Sequence, residues 1–249
     1  MVGYSAPMTV TLCIETSGPH CSLALAVDEQ IYIQERMLAR SHNEHMLNML
    51  DALFVQAGCR PTDVDLVAFG CGPGSFTGVR ISASAAQAVA VAAEALVVPV
   101  PSSQVLAFTA AATNPSSTAV VCSLPSRGQA YYLSAYRRIG SDALASEVLA
   151  SDVLAVIHSD ELVESCPAWL LQLAADEGDA GDFEIVGTAP SWLTDDLAES
   201  VRHEVHPAAV EMIRHARRVH DQGQSLPPEQ ALPLYVTGDS PWRKQVPEP

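Results

Sequence analysis

The sequence of 249 residues has little positive charge. It contains one lysine, Lys244, and twelve arginines against 29 acidic residues, which gives a formal net charge of −16. A surface of this sign repels the phosphate backbone of nucleic acids and the anionic face of a membrane. We therefore expect the isolated chain to bind neither nucleic acid nor a membrane tightly.

Paired cysteine motifs, a signal peptide and long apolar runs are also absent from the sequence. None of the six cysteines forms a C-x-x-C pair, which excludes a zinc ribbon and a dithiol redox motif and is typical of reduced thiols. The N-terminus has no basic region of the kind that begins a secretory signal. The longest apolar stretch, residues 88–100, is interrupted by Glu94 and Pro99, so no transmembrane helix is expected. These absences predict a cytoplasmic protein.

The order of the predicted elements indicates an α/β protein with two lobes. Three strands, a helix, and then alternating strands and helices are predicted up to a boundary at "NPSS" (114–117), after which strands begin again. We therefore divide the chain into a first lobe, 1–114, and a smaller, divergent second lobe, 115–249, with a C-terminal helix (207–220) and an extended tail. A three-stranded meander followed by alternating elements matches the ribonuclease-H-like half of the actin and sugar-kinase superfamily, in which two lobes usually clamp ATP.

A glycine-rich loop, "GPGSFTGVR" (72–80), lies between a predicted strand and a predicted helix. Its spacing fits neither the P-loop, which also needs a lysine, nor the Rossmann turn nor the nucleophile elbow. We interpret it as a tight turn in which glycines allow a positive φ and close approach of the backbone. Ser75 and Thr77 are candidate caps of the next helix, and Arg80 is a candidate partner for an acidic residue. The residues of this motif loop are Gly72, Pro73, Gly74, Ser75, Phe76, Thr77, Gly78 and Arg80.

This loop, together with "LCIETSGPHCSLAL" (12–25) and "SHNEHMLNML" (41–50), resembles the TsaB family, also called YeaZ. The resemblance is strong from about Met8 to Ala112 and faint afterwards, apart from "RGQAYYLSAY" (127–136) and the "LPLYV" tail. It implies a two-lobed actin-like (ASKHA) fold with a degenerate second lobe. It also implies a largely non-catalytic partner of TsaD, which transfers the threonylcarbamoyl group in making the threonylcarbamoyladenosine of tRNA. A TsaE-like ATPase and tRNA would be reached only through the complex.

Two departures from the superfamily pattern argue against independent nucleotide chemistry. In the loop Glu15, Thr16 and Ser17, which we interpret as a vestigial phosphate loop, Glu15 replaces the usual metal-binding aspartate, and its extra methylene displaces the carboxylate. The second lobe has "LPS" (124–126) where relatives often have Asp-Ala-Arg. We therefore expect no cofactor, and ATP only within the complex. An autonomous kinase or ATPase of the same fold, or a peptidase, remains the alternative function.

His42 and His45 lie three residues apart at the start of a predicted helix, a spacing that can chelate a metal ion. Metal sites on helices usually need further ligands, and no other histidine is near in sequence. We therefore expect both histidines to be polar residues of the first helical turn, and we expect no metal site.

The predicted partner surface lies on two helices, 44–57 and 78–95. Apolar residues of the first helix cover an arc of about 160°, wider than the ~100° that packing on one sheet requires. The second helix consists mostly of small residues, which allow a neighbouring helix to come close. We expect this surface to bind a TsaD-like protein and, in its absence, to form a homodimer. The residues assigned to it are Met46, Met49, Leu50, Leu53, Ser82, Ala86, Val89 and Ala93.

Overall fold

Two five-stranded mixed sheets form the framework of the protein, in a computed structural model that describes residues 9–38, 42–139, 154–177, 183–202 and 204–236. In the first sheet the strand order is β3-β2-β1-β4-β5, with β1, β2 and β3 antiparallel and β1, β4 and β5 parallel. The predicted order of three strands followed by alternating helices and strands is confirmed. Its elements are β1 (Val10–Glu15), β2 (His20–Val27), β3 (Gln30–Met37), α1 (His42–Ala57), β4 (Leu66–Gly70), α2 (Phe76–Ala93), β5 (Leu96–Val100) and α3 (Ser102–Thr113).

The second sheet repeats the topology of the first. Its order is β10-β9-β6-β7-β8, in which β6, β7 and β8 are antiparallel and β6, β9 and β10 are parallel. The two-lobed fold is thus confirmed, and the second lobe is reduced mainly in its short β10 and α5. The division at residues 114 and 115 stays a prediction. The elements are β6 (Ala119–Pro125), β7 (Tyr131–Arg138), β8 (Leu154–Val163), α4 (Ala168–Glu177), β9 (Phe183–Gly187), α5 (Asp195–Ala198), β10 (Val201–Arg202) and α6 (Met212–Asp221).

The central strands of the first sheet are buried on both faces, with large residues on one side and small residues on the other. Along β1, Leu12 and Ile14 pack with α1 and α2, whereas Cys13 packs with α3 and α6. Ala24 and Ala68 lie on the same face as Cys13. Alternation with period two separates the two sets, and the near-continuous apolar sequence follows because helices cover both faces.

Helix α3 joins the two lobes because it is apolar on all sides. Val105 and Phe108 pack against the first sheet, while Leu106 and Ala110 pack against the second. A helix with apolar residues all round is stable only when it is enclosed, and this one lies between the sheets.

The C-terminal helix α6 returns to the first sheet. It begins at Met212, later than the predicted start at residue 207, because a short 3-10 turn (Ala209–Glu211) precedes it. Its basic face attaches it to the sheet: Arg217 donates hydrogen bonds to Thr11 Oγ1 (3.1 Å) and to the carbonyl of Asp28 (2.9 Å). A segment that follows the second sheet therefore stabilises the first.

By length and composition alone, α2 could cross a membrane, and among the described residues it is the one helix that meets this test. Its buried face, which includes Val79, Ala83, Ala86 and Ala90, packs on the first sheet instead. A core helix of this kind passes the same test, so the composition of α2 is explained by packing.

The glycines of the motif loop are required because the loop packs directly on the segment that follows β1. A Cβ at Gly78 would overlap the carbonyl oxygen of Thr16, and one at Gly74, where φ is +150°, would overlap the backbone of Ser17. The Thr16 hydroxyl donates to the Gly78 carbonyl (2.8 Å), and the Ser75 amide donates to the Ser17 carbonyl (2.6 Å). The interpretation of this loop as a close backbone contact is confirmed.

We predict that Gly78→Ala lowers the free energy of unfolding by about 2 kcal/mol, because the added methyl group must displace the backbone of residue 16. Gly18→Ala is the matched control, since nothing lies within 4 Å of its Cβ position. Urea denaturation of both variants measures the difference. Equal stability of the two variants would contradict this account of the loop.

Candidate functional site

The side chain of Glu15 folds back over the loop of residues 15–17, whose role as a vestigial phosphate loop stays a prediction. This side chain is 1% exposed and lies over Gly70, at which a Cβ would collide with the carboxylate. Its Oε1 accepts a hydrogen bond from the Ser17 amide, and its Oε2 accepts one from Ser102 Oγ (3.0 Å). The carboxylate therefore lies inside the fold, beside the first turn of α3, where an anion is favoured by the helix N-terminus.

Burial of Glu15 changes what the loop can bind. Desolvation raises the pKa of the Glu15 carboxyl, while hydrogen bonds from Ser17, Ser102 and the backbone of Thr16 oppose the rise. In a phosphate loop, backbone amides point to the anion. Here the Ser17 amide is already bound to the protein's own carboxylate, so this donor is not available to a phosphate.

The cleft between the lobes has a volume of about 490 Å³ and walls with few charges. Among the described residues that line it, none is lysine or arginine. Leu124, Pro125 and Ser126 line it from the second lobe. His20 and His206 stack at one side with ring centroids 3.6 Å apart. Burial lowers the pKa of His20, and the electrostatic effect of the neighbouring His206 lowers it further.

A partly buried acid, Asp160, connects α3 with the second sheet. Ser103 Oγ lies 2.8 Å from Asp160 Oδ2, to which it donates, and 3.1 Å from the hydroxyl of Tyr136. Burial raises the pKa of Asp160 to about 6, and the hydroxyl groups of Ser103 and Ser134 oppose the rise. Asp160 was not among the residues predicted from the sequence, because β8 follows a stretch without a clear hydrophobic period.

The motif loop shapes the start of α2. Ser75 is the N-cap, since its Oγ accepts a hydrogen bond from the Gly78 amide (3.2 Å), as predicted for one of the two candidates. Thr77, the other candidate, is exposed. Ser82 Oγ donates to the carbonyl of Gly70 (2.8 Å) and so fixes α2 to the end of β4.

An apolar groove of about 550 Å³ runs between α1 and α2 on the outside of the first lobe. Its most exposed large apolar member is Leu47, which is 65% exposed. Arg80 stands at the rim as the charged residue of the lining, with Thr77 and Ser84 as polar neighbours. The apolar residues that line this α1–α2 groove are Met46, Leu47, Phe76, Ile81, Ala85 and Ala88.

The residues predicted to form the partner surface lie in the core instead, so the prediction that they are exposed is wrong. Both helices pack on the same face of the first sheet and against each other, and this packing covers most of the apolar arc of α1 but leaves Leu47 exposed. Seven of the eight are buried and Ala93 is half-buried; they are Met46, Met49, Leu50, Leu53, Ser82, Ala86, Val89 and Ala93. The exposed large apolar residues of the two helices are others, namely Leu47, Val55 and Val91.

The C-terminal tail lies across the motif loop, a contact that was not predicted from the sequence. Leu226 pairs with Val97 at the edge of the first sheet, and the Leu234 amide donates to the Cys71 carbonyl (2.7 Å). Tyr235 then reaches the rim of the α1–α2 groove, where its hydroxyl accepts a hydrogen bond from Arg80 Nε (3.2 Å). The "LPLYV" segment thus contributes to the edge of that groove.

No group of three histidine, cysteine or acidic residues that could hold a metal ion is present in the described parts of the chain. His45 is half-buried in the first turn of α1, whereas the side chain of His42 lies outside the described residues. The expectation that the two histidines hold no metal stays a prediction.

The two lobes with repeated topology, joined by α3, define an α/β protein of the actin-like class. Residues 27–222 match the family model described as "TsaD: tRNA N6-adenosine threonylcarbamoyltransferase". The chain belongs to the TsaB (YeaZ) family, within the wider group that this model describes.

Individual relatives agree with this assignment. The chain is 28% identical over 240 residues to "tRNA threonylcarbamoyladenosine biosynthesis protein TsaB" of Escherichia coli (strain K12), which covers 94% of this chain and 96% of that protein. The protein of the same name from Haemophilus influenzae is 39% identical over 90 residues, 36% of this chain and 38% of that protein. The solved structure of YeaZ from Pseudomonas aeruginosa shares the fold, with a TM-score of 0.72 at 24% identity over 92% of this chain and 100% of that one.

We predict that Glu15→Ala lowers the free energy of unfolding by about 2 kcal/mol, because it leaves the Ser17 amide and the Ser102 hydroxyl without their buried acceptor. Glu15→Gln keeps an acceptor of the same length and should remain within about 1 kcal/mol of the wild type. Urea denaturation at neutral pH compares the three proteins. If the alanine variant is as stable as the glutamine variant, the carboxylate does not organise this loop.

The raised pKa of Asp160 predicts a pH effect with a definite sign. The folded protein favours the protonated form, so the contribution of Asp160 is fully present below a pH of about 4 and is lost as the pH rises through about 6. Between pH 4 and pH 7 the wild type should therefore lose up to about 3 kcal/mol of stability relative to Asp160→Asn. Urea denaturation of both proteins across this range measures the difference, and a constant difference would contradict the prediction.

Proposed function

We propose that the chain takes part in the biosynthesis of threonylcarbamoyladenosine in tRNA, in the cytoplasm, as a non-catalytic subunit that docks a TsaD-type protein. The names of its relatives support the process, since the Escherichia coli protein is similar over nearly the full length of both chains. The observation that carries the docking role is the α1–α2 groove, an exposed apolar surface on an otherwise acidic protein. Exposed apolar patches of this kind commonly mark sites of protein association.

The absence of independent nucleotide chemistry is part of the same proposal. A kinase or ATPase of this fold needs donors and cations around the phosphates, and the amide of Ser17 is bound to Glu15. The residues described along the cleft add no lysine or arginine to it. We therefore propose that the chain alone holds no cofactor. Contacts with a TsaE-type ATPase and with tRNA are made through the assembled complex, where partners supply the positive charge.

The same groove offers a contact for a second copy of the chain when the TsaD-type partner is absent. A groove that lies between two helices can receive the corresponding helices of another subunit, and a twofold arrangement closes such a contact. We propose a homodimer of this kind for the purified protein. Competition between the second copy and the partner would then make the two assemblies mutually exclusive.

We predict that Leu47→Asp weakens binding to the TsaD-type protein of the same organism by at least about tenfold, because it places a charge in the apolar part of the interface. Val55→Asp is the matched control. It lies on the same helix, is 73% exposed and is outside the groove, so its affinity should stay within about twofold of the wild type. Isothermal titration calorimetry gives the dissociation constants.

Because both positions are exposed, both variants should retain a normal circular dichroism spectrum and melting temperature. Sedimentation of the isolated variants tests the homodimer in the same experiment, since Leu47→Asp alone should shift the population to monomer. Unchanged affinity of a folded Leu47→Asp variant would exclude the groove as the docking site.

A further inference from the structure

Arg80 is held in one position at the rim of the α1–α2 groove. Its guanidinium carbon lies 3.5 Å from the centre of the Phe76 ring and 6.0 Å from that of Tyr235. The hydrogen bond from Arg80 Nε to the Tyr235 hydroxyl fixes the remaining rotation of the group. Stacking on an aromatic face is favourable for a guanidinium and limits the entropy lost when the group later binds a ligand.

The tail that carries Tyr235 is bound to the first lobe at several points, so the contacts of Tyr235 with Arg80 belong to the folded structure. Gln87 Nε2 donates to the carbonyl of Ala231 (3.0 Å), which ties the tail to α2. Further along, the Leu234 amide is bound to the carbonyl of Cys71. Tyr235 thus reaches Arg80 from a segment fixed on both α2 and the end of β4.

Within the described part of the chain, Arg80 has no acidic partner and its two terminal nitrogens donate no hydrogen bond. By contrast, Arg137 and Arg202 form ion pairs with Glu177 and Glu184. The free edge of the Arg80 guanidinium offers a planar fork of donors, whose geometry matches a carboxylate.

We propose that Arg80 binds a carboxylate of the TsaD-type partner, and that Phe76 and Tyr235 are positioning residues that hold the guanidinium for this contact. The inference rests on the docking role proposed above and adds the chemistry of the partner. The matching surface of the partner is an amphipathic helix with an aspartate or glutamate beside apolar side chains, because an apolar groove with one cation at its rim complements such a helix.

A protein carboxylate fits this site better than the phosphate of a nucleic acid. The groove beside Arg80 is lined mainly by apolar side chains, and the chain as a whole is strongly acidic. One cation on such a surface gives little counterion release to drive binding of a polyanion. A single carboxylate on an apolar helix would meet no acidic side chain among the residues described along the groove.

The test measures the affinity of the full chain for the TsaD-type protein by calorimetry at 50 mM and 500 mM NaCl. Arg80→Ala should weaken binding at low salt by at least about tenfold, since it leaves the partner carboxylate unpaired. Arg80→Lys keeps the charge but loses the forked contact, so its affinity should lie between those of the wild type and Arg80→Ala. Tyr235→Phe keeps the ring and loses the hydrogen bond to Nε, so a smaller loss is expected.

The matched control is Arg127→Ala, which removes the same charge from an exposed turn of the second lobe and should leave affinity within about twofold of the wild type. Added salt should weaken the wild type more than Arg80→Ala, a difference that a purely structural role of Arg80 would not produce. Binding by Arg80→Glu should be recovered when the partner's acidic residue is replaced by arginine.

The outcomes separate this inference from the docking proposal. Arg80→Ala binding within twofold of the wild type, while Leu47→Asp abolishes binding, would overturn the Arg80 contact and leave the groove as the docking site. Unchanged binding by both variants would overturn both proposals. If Arg80→Ala binds the TsaD-type protein as the wild type does, but the complex loses affinity for tRNA, Arg80 binds nucleic acid and the inference is overturned.

Discussion

The buried carboxylate of Glu15 is the constraint on which the arrangement of the first lobe depends. It meets the end of β1, the turn after it and the first residue of α3, through its bonds to Ser17 and Ser102. An acid can be buried in this way only if its oxygens find donors, and the neighbouring Gly70 must lack a side chain to leave it room. The motif loop then packs on this turn, so the position of α2 also follows from it.

Because Glu15 occupies the loop beside the cleft, the binding surface that we propose lies outside the cleft, in the α1–α2 groove. The loop after β1 is occupied by the side chain of Glu15, and the walls described around the cleft lack lysine and arginine. What remains outside is an apolar groove between α1 and α2, with Arg80 fixed at its rim by the tail. These features are the basis of the proposal that the chain docks a partner at this groove.

Much of the first lobe could be predicted from the sequence, because its strands alternate clearly and its helices have distinct ends. Ser75 was recognised as a candidate cap for the same reason. The outward surface could not be predicted, since the width of an apolar arc does not tell whether a sheet, a neighbouring helix or a partner covers it. Met49 and Ala86 proved to be core residues, while the importance of Tyr235 depends on a contact with Arg80 across 155 positions, which no local pattern reveals.

The central claim is that this chain works through its outer helices and not through its cleft. Hydrogen–deuterium exchange of the full chain tests it directly, with the TsaD-type protein added in one arm and magnesium ATP alone in the other. The account predicts slower exchange in α1 and α2 with the partner, and no change around Ser17 to His20 or residues 124–126 with ATP. Protection of the cleft by ATP alone, with α1 and α2 unaffected by the partner, would contradict it.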